Sequence, residues 1–220
     1  MKEQPIYTTG GIILDYDYFK IASIMTILRA KGLYQNKPML SLPFLGWFES
    51  YDFSDFNLIE FGSGNSTNYF ADKVETVVSF ETDINFYNNF KSSLSENVDY
   101  RFIQKYDLEN KIPDIEINDK TIVFIDSASN RFLLTKNILK TESPNILILD
   151  NSNEYKNTCK FLYDNGYLEI PLWGLRFMEV EEACTSVFIK NNFNMIEKNY
   201  NYFSPGSIQK TENSWDIDSE

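Results

Sequence analysis

Histidine is absent from this chain of 220 residues, and cysteine occurs only twice, as Cys159 and Cys184. A zinc site, a CxxC redox pair and a Cys-His nucleophile each need residues that the chain lacks. We therefore expect both cysteines to be buried, reduced thiols.

Basic residues and long apolar runs are also scarce. Lys and Arg number 20 against 32 Asp and Glu, for a formal net charge of −12 and a pI near 4.5. The averaged field of such a surface repels a polyanion, so we expect no nucleic-acid partner. The longest helix-like apolar stretch, residues 21–28, is far shorter than the ~20 residues that span a bilayer, and residues 1–10 lack the apolar core of a signal peptide. We therefore expect no membrane association and a cytoplasmic location.

Aromatic residues, in contrast, are abundant, with 18 Phe, 14 Tyr and 3 Trp in a chain that is 43% hydrophobic. A chain of this length buries roughly 70% of the surface that its unfolded form exposes. We expect one folded domain. Some of these aromatic side chains could form an exposed interface, so the possibility of a homodimer stays open.

From residue 58 onward, strand and helix patterns alternate, which is typical of a parallel sheet with right-handed crossovers. Strands are predicted at residues 58–61, 76–80, 98–103, 121–125 and 145–149, and the alternating polar pattern of 98–103 predicts an edge strand. The strands at 167–172 and 184–189 should pair antiparallel, because eleven residues are too few for a helical crossover. Helices are predicted at 17–31, 42–50 and 154–165, and a further helix with an apolar face formed by Ile84, Tyr87 and Leu94 should begin at Asp83.

Residues 58–67 read Leu-Ile-Glu-Phe-Gly-Ser-Gly-Asn-Ser-Thr, a short apolar strand followed by a Gly-x-Gly turn. Gly62 and Gly64 would let the backbone approach a ligand closely, and the helix after them would direct free N–H groups at it. Such a turn usually holds a nucleotide-like cofactor, although the same glycines also fit an ordinary tight turn.

Four acidic residues lie at or beside the carboxyl ends of predicted strands, namely Glu60, Glu81, Asp126 and Asp150. Ligands of open α/β sheets bind outside these ends, although each acid alone also fits a turn or cap. Glu81 lies 21 positions after Glu60, where a carboxylate can accept both hydroxyls of a ribose. The pattern predicts a nucleoside-containing ligand.

At these residues the sequence resembles the class I S-adenosylmethionine-dependent methyltransferases: residues 60–64 are similar to their first motif and Glu81 to their ribose acid. Four further runs resemble a small-molecule O-methyltransferase-like group, loosely of the macrocin type; they are FGSGNST at 61–67, FIDS at 124–127, LILDNS at 147–152 and TSVF at 185–188. The resemblance covers about residues 42–190. It implies an α/β fold with a doubly wound, mostly parallel seven-stranded sheet of order 3-2-1-4-5-7-6, strand 7 antiparallel, and helices on both faces in a three-layer sandwich.

The same resemblance implies a domain plan and a cofactor site for S-adenosylmethionine. Residues 1–50 would form an N-terminal helical cap segment, 51–190 the Rossmann-like methyltransferase domain and 191–220 a polar tail. In the cofactor site, the turn of Gly62, Ser63 and Gly64 would meet the methionine part of the cofactor. Ser66 and Thr67 would lie near its carboxylate, and Glu60 would face its ammonium group. Glu81 would bind the ribose, and Tyr106 and Asp107 would contact the adenine.

Methyl transfer requires that the acceptor hydroxyl lose its proton, and without histidine the base must be a carboxylate, a Tyr or Lys of shifted pKa, or a metal-bound group. Asp126 and Asp150 are the predicted catalytic residues. With Asn151 they resemble the Mg²⁺ ligands of catechol-type O-methyltransferases, although Ser129 stands where that family has a lysine. Alternatively, Asp126 contacts cofactor or substrate and Asp150 caps a loop.

A small-molecule acceptor, such as a sugar or metabolite, is predicted to meet Trp173 and Arg176 in the loop 173–182, together with residues 43–48. Arg131 and Arg176 lie in segments expected to overhang the same rim. Either could bind an anionic substrate group bidentately, but a surface salt bridge is the expected role of each. Two other functions stay open. An oxidoreductase would need a dinucleotide, but Thr67 occupies the third glycine position of Gly-x-Gly-x-x-Gly, and 57 residues precede the strand. A non-catalytic relative would keep the methyltransferase-like fold as a binding module.

Overall fold

The computed structural model describes residues 36–110, 112–177 and 182–190, together with 6–7, 13–14, 24, 27–28 and 30–32. Near the N-terminus, Ile6–Tyr7 pairs antiparallel with Ile13–Leu14. The helix predicted at 17–31 falls largely outside the described residues, but those described within it up to residue 30 are helical, and Gly32 follows with a φ of 79°. The predicted tail at 191–220 lies outside them altogether. No helix among the described residues is both long enough and apolar enough to cross a membrane.

In the described part of the chain, seven strands form one sheet. They are β1 Asn57–Phe61, β2 Thr76–Glu81, β3 Val98–Phe102, β4 Thr121–Ile125, β5 Ile146–Leu149, β6 Tyr167–Leu175 and β7 Glu182–Lys190. Their order is β3-β2-β1-β4-β5-β7-β6, and β7 runs antiparallel to both of its neighbours. The predicted order and the position of β3 at an edge are therefore confirmed.

Helices cover both faces of this sheet. The described helices are α1 Leu42–Glu49, α2 Asn65–Ala71, α3 Ile84–Phe90, α4 Lys105–Asn110, α5 Arg131–Thr141 and α6 Lys156–Asp164, with 3-10 turns at Lys91–Ser93 and Ser152–Glu154. Apolar side chains of α1 and α2 pack on one face, and those of α4, α5 and α6 pack on the other. Every side chain of β4 and β5 is buried, as their unbroken apolar sequences predict.

Two predictions about elements were wrong. The helix after β2 does begin at the N-cap Asp83, but none of its side chains is buried, Ile84 is exposed, and Leu94 lies beyond the helix. The reason is its position beside the edge strand, where Tyr87 stacks on Tyr100 at 4.6 Å between ring centroids but, among the described strands, none lies beyond β3 to supply a surface. The final hairpin is also longer than predicted, because residues 173–175 continue β6 instead of starting a loop.

Candidate functional site

The carboxyl ends of the central strands form one continuous rim. The parallel hydrogen-bond ladder runs past the strand ends: Gly62 N donates to the Phe80 carbonyl at 2.9 Å, and Asp126 N donates to the Phe61 carbonyl at 2.8 Å. Asp150 N then donates to the carbonyl of Ile125 at 3.1 Å. The glycine turn and the two aspartates therefore lie side by side, as the sequence predicts for residues that follow parallel strands.

The two glycines of the turn have different roles. Gly62 has a φ of 96°, and a methyl group at this position would lie 2.6 Å from the carbonyl oxygen of Asp126 and 2.8 Å from the Cα of Ser127. Gly64 has an extended backbone with a φ of 174° and precedes α2 as its N-cap. Its N–H donates to Thr67 Oγ1 at 3.1 Å. Gly62 is therefore required by the close approach of the chain that directly follows β4, whereas a Cβ at Gly64 would meet only Ser66 Oγ, at 3.9 Å.

Glu60 lies beneath this turn and is fully buried. Its Oε1 accepts from Ser66 Oγ at 2.7 Å, and its Oε2 accepts from Thr67 Oγ1 and Ser79 Oγ, both at 2.6 Å. Burial raises the pKa of Glu60 to about 7, against the opposing effect of the three hydroxyl donors. The side chains of Glu60, Ser66 and Thr67, which the resemblance implies as cofactor contacts, are thus engaged with one another inside the protein and hold the turn from within.

Glu81 connects the glycine turn to β2. Its Oε2 accepts from the backbone N and the Oγ of Ser63, at 3.2 and 2.6 Å, and its Oε1 accepts from the N–H groups of Thr82 and Asp83 at 2.7 and 2.8 Å. Ser63 Oγ also lies 2.7 Å from the hydroxyl of Tyr100. The acid predicted to bind a ribose is therefore fixed against the turn predicted to bind the rest of a cofactor, so the two parts form one site.

Ser79 and Tyr100 belong to the site but were not predicted. In the strand registers Glu60 faces Ser79 on β2, and Ser79 faces Tyr100 on β3. The three polar side chains therefore form a row across β1, β2 and β3. The signal was present in the sequence, since Ser79 interrupts the apolar run of β2, but its meaning depends on the register between strands.

Asp126 pairs with Arg131, the first residue of α5. Arg131 Nη2 donates to Asp126 Oδ1 at 2.7 Å, Nη1 to the carbonyl of Asp150 at 2.6 Å and Nε to the carbonyl of Ser127 at 3.1 Å. The guanidinium also lies 4.5 Å from the ring centroid of Tyr155. Arg131 is only 6% exposed, so the expectation of a surface salt bridge was wrong. Burial raises the pKa of Asp126, and the negative charge of the Asp150 carboxylate raises it further.

Asp150 is buried among hydrogen-bond donors from distant parts of the chain. Thr185 Oγ1 donates to its Oδ1 at 2.6 Å, and Arg176 Nη1 lies 3.8 Å from its Oδ2. With its amide oriented by these neighbours, Asn151 donates to Asp150 Oδ2 at 3.0 Å and accepts from Arg176 Nη1 at 3.2 Å. Burial raises the pKa of Asp150, and the Thr185 hydroxyl opposes this rise. Arg176 is also largely buried rather than at the surface.

The predicted Mg²⁺ site can be tested against this arrangement. A cation would need oxygen atoms of Asp126, Asp150 and Asn151, but guanidinium groups of Arg131 and Arg176 lie against all three residues. The side chains in this arrangement do not fit a divalent cation.

The remaining predicted contacts differ in their exposure to solvent. Tyr106 and Asp107 are exposed in the first turn of α4, directly after β3. Trp173 is 48% exposed on β6. Within residues 43–48, however, Phe44 and Phe48 are buried in the core, so these two cannot contact a substrate as predicted. Both cysteines are free; Cys184 is buried, but Cys159 is only partly so.

No protein-family model and no curated protein sequence matches the chain. Among solved structures, the O-methyltransferase from Bacillus cereus in complex with S-adenosylhomocysteine is similar, with 17% identity, a TM-score of 0.50, and coverage of 84% of this chain and 96% of that one. The O-methyltransferase TomG from Streptomyces achromogenes, involved in tomaymycin synthesis, is 13% identical, with a TM-score of 0.47 over 83% of this chain and 93% of its own.

Another similar structure is the 23S rRNA methyltransferase ErmE, which is 13% identical, with a TM-score of 0.45 over 71% of this chain and 69% of its own. All three of these proteins are methyltransferases, but their identities to this chain are low. The likeness to the Bacillus cereus structure establishes that the chain has the Rossmann-like fold of methyltransferases, with its seven-stranded sheet.

Proposed function

We propose that this protein is an S-adenosylmethionine-dependent methyltransferase that methylates an oxygen of a small hydroxylated acceptor, such as a sugar or metabolite. The observation that carries the proposal is the pair of hydrogen bonds from Ser63 to Glu81, which joins the glycine turn after β1 to the acid at the end of β2. The fold shared with a methyltransferase solved with S-adenosylhomocysteine supports it. We further propose that residues 51–190 form the catalytic domain and that residues 1–50, which contain the paired strands at 6–7 and 13–14 as well as α1, form a separate N-terminal segment.

The residues present fit this cofactor. Gly64, where an added Cβ would meet only Ser66 Oγ at 3.9 Å, lets the backbone approach the methionine part closely, and Glu81 suits the ribose because its carboxylate lies at the rim beside the turn. Tyr106 and Asp107 follow β3 and are exposed, so they are available for the adenine. We assign Glu60, Ser66 and Thr67 the role of holding the turn in shape, in addition to any backbone contacts they make. When bound, S-adenosylmethionine supplies a methyl group on a sulfonium ion that an oxygen nucleophile can displace.

Asp126 is the proposed base for the acceptor hydroxyl. Its side chain is 34% exposed at the rim, whereas Asp150 is buried. Arg131 fixes the carboxylate through Oδ1, and the raised pKa makes this carboxylate a stronger proton acceptor than an ordinary aspartate. Asp150, held by Thr185, positions Arg176 and Asn151 around the acceptor. Because imidazole is absent from the chain, a carboxylate of raised pKa is the group suited to this step near neutral pH.

A small acceptor is favoured over a nucleic acid by charge. The chain carries a net charge of −12, which opposes a polyanionic acceptor such as RNA. The exposed ring of Trp173 on β6 offers an apolar surface that suits a sugar or an aromatic metabolite. Arg176, which directly follows the end of β6, brings hydrogen-bond donors to the same side of the rim.

Calorimetric titration of the wild type and of Glu81→Ala with S-adenosylmethionine, S-adenosylhomocysteine and NAD tests the proposal. Loss of a charged hydrogen-bond acceptor costs roughly 1.5–3 kcal/mol, so we expect Glu81→Ala to weaken binding of both sulfur ligands by at least about tenfold. Glu75→Ala is the matched control, because Glu75 is an exposed acid that precedes β2 at the opposite end of the same strand. Circular dichroism checks that each variant is folded.

Three outcomes separate the candidate functions. Binding of S-adenosylmethionine that depends on Glu81 supports the proposal. Binding of NAD with no response to either sulfur ligand would identify an oxidoreductase instead. Binding of none of the three ligands would overturn the proposal and favour a non-catalytic module with a methyltransferase-like fold.

A further inference from the structure

We propose that the acceptor end of this site works without a divalent cation, and that Arg131 and Arg176 supply the positive charge that a metal ion would otherwise provide. The inference deepens the proposed function, on which its chemical meaning rests. Its test, however, measures metal binding and does not need methyl transfer. The observation behind it is that each oxygen-bearing residue predicted to ligate a metal already faces a guanidinium group.

Arg131 is built into the rim. Each of its three guanidinium nitrogens donates a hydrogen bond, to the carbonyl of Ser127, the carbonyl of Asp150 and the carboxylate of Asp126. These acceptors lie after two neighbouring strands, β4 and β5, so the guanidinium spans the gap between the strand ends. The ring of Tyr155 covers it from the side. A side chain with this many fixed contacts, 6% exposed, does not leave its place to admit a hydrated ion.

Arg176 closes the other side of the rim. One nitrogen, Nη1, lies 3.2 Å from the amide oxygen of Asn151 and 3.8 Å from Asp150 Oδ2. The backbone of Arg176 is fixed as well, because residue 176 forms an isolated antiparallel bridge with Ser41. The other carboxylate oxygen of Asp150, Oδ1, accepts a hydrogen bond from the hydroxyl of Thr185. The oxygen atoms of the Asp150-Asn151 pair are thus directed at an arginine and a threonine.

The charge balance points the same way. Two carboxylates without arginines would carry two negative charges, which one Mg²⁺ would neutralise. With Arg131 and Arg176 in place, the charges of the ionised side chains of Asp126, Asp150, Arg131 and Arg176 sum to zero. A divalent ion added to this set would bring two uncompensated positive charges next to two guanidinium groups in a mostly buried site, which is strongly unfavourable. The arginines therefore balance the charge of the two aspartates.

Titration of the apoprotein with Mn²⁺, followed by the electron paramagnetic resonance signal of free Mn²⁺, tests this inference. Mn²⁺ is the probe because it takes the oxygen ligands that suit Mg²⁺. We expect the wild type to show no stoichiometric site. The double variant Arg131→Met/Arg176→Met leaves both aspartates without their cations, so we expect it to gain one Mn²⁺ site at least about tenfold tighter than any binding by the wild type. Adding Asp126→Asn to that variant should abolish the gained site.

Two comparisons keep the test decisive. Arg101→Met is the matched control, because Arg101 forms an exposed ion pair with Asp99 on β3, and its loss should leave Mn²⁺ binding unchanged. Since Arg131 is buried, the double variant is checked by circular dichroism, and Arg176→Met alone is titrated beside it; we expect a weaker gained site there.

A single Mn²⁺ bound tightly by the wild type and lost in Asp126→Asn would overturn the inference. The inference would also be overturned if the double variant folded and gained no Mn²⁺ site. If the double variant is unfolded, a folded Arg176→Met variant that gains no Mn²⁺ site leads to the same conclusion. Failure of the wild type to bind S-adenosylmethionine would instead overturn the proposed function and leave the metal-binding result standing.

Discussion

Replacement of Gly62 by alanine tests whether the glycine turn is shaped by its contact with β4. The φ of 96° at Gly62 costs an L-residue about 1–2 kcal/mol. The added methyl group would also lie 2.6 Å from the carbonyl oxygen of Asp126, which is backbone and cannot rotate away. Overpacking of this kind costs typically about 1–3 kcal/mol. Together the two effects should lower the free energy of unfolding by about 2–5 kcal/mol.

Two other glycines separate these two effects. Gly166 has a similar φ of 84°, but a methyl group there would meet no atom within 4 Å, so Gly166→Ala should cost only the backbone part, about 1–2 kcal/mol. Gly64 has an extended φ and its nearest neighbour at 3.9 Å, so Gly64→Ala should change stability by less than about 0.5 kcal/mol.

Urea denaturation followed by tryptophan fluorescence and by far-ultraviolet circular dichroism gives the three values, provided that the m-value is unchanged. We expect the loss of stability to be largest for Gly62→Ala, intermediate for Gly166→Ala and smallest for Gly64→Ala. A loss for Gly62→Ala equal to that for Gly166→Ala would refute the role assigned to the Asp126 contact, because only the backbone cost would then remain.

Two further predictions concern the carboxylates beside the turn. The pKa of Glu60 is about 7 in the folded chain and 4.5 ordinarily, so the folded state holds a proton that the unfolded state has lost between these values. The free energy of unfolding should therefore fall by roughly 3 kcal/mol as the pH rises from about 4.5 to about 7. Urea titrations at several pH values should show that Glu60→Gln lacks this dependence of the unfolding free energy on pH. The same dependence in both proteins would contradict the raised pKa of Glu60. Ser63→Ala removes the hydroxyl that holds Glu81 against the glycine turn, so calorimetry should show S-adenosylhomocysteine binding about 2–10-fold weaker, with Tyr100→Phe, which keeps the Ser63 hydroxyl on Glu81, as the control; unchanged or tighter binding by Ser63→Ala would contradict the role assigned to this hydrogen bond.

The sequence predicted the sheet well because its signals are local. The unbroken apolar runs of β4 and β5 indicate strands buried on both faces, and the polar alternation of β3 indicates an edge. The positions of Gly62, Glu81, Asp126 and Asp150 followed from strand ends alone, because parallel strands bring their carboxyl ends to one rim. These residues do meet there.

The partners of those residues could not be predicted in the same way. Ser79 and Thr185 reach Glu60 and Asp150 only through the registers of β2 and β7, which depend on packing across the whole sheet. Arg131 was expected at the surface because arginine usually lies there, yet carbonyl groups exposed at two strand ends provide acceptors that keep it buried.

The hydrogen bonds that complete the rim differ greatly in sequence separation. Ser63 and Glu81 are 18 residues apart, so the half of the rim proposed for the cofactor can close as soon as β1 and β2 pair. Asp150 depends on Thr185, whose hydroxyl also accepts from the backbone N of Ser41, 144 residues away. Contacts of that range form late in folding, because a long stretch of chain must be ordered first. During synthesis on a ribosome, the part of the rim around Asp150 can therefore be completed only after β7 has emerged. By then the residues around Ser63 and Glu81 have long been available.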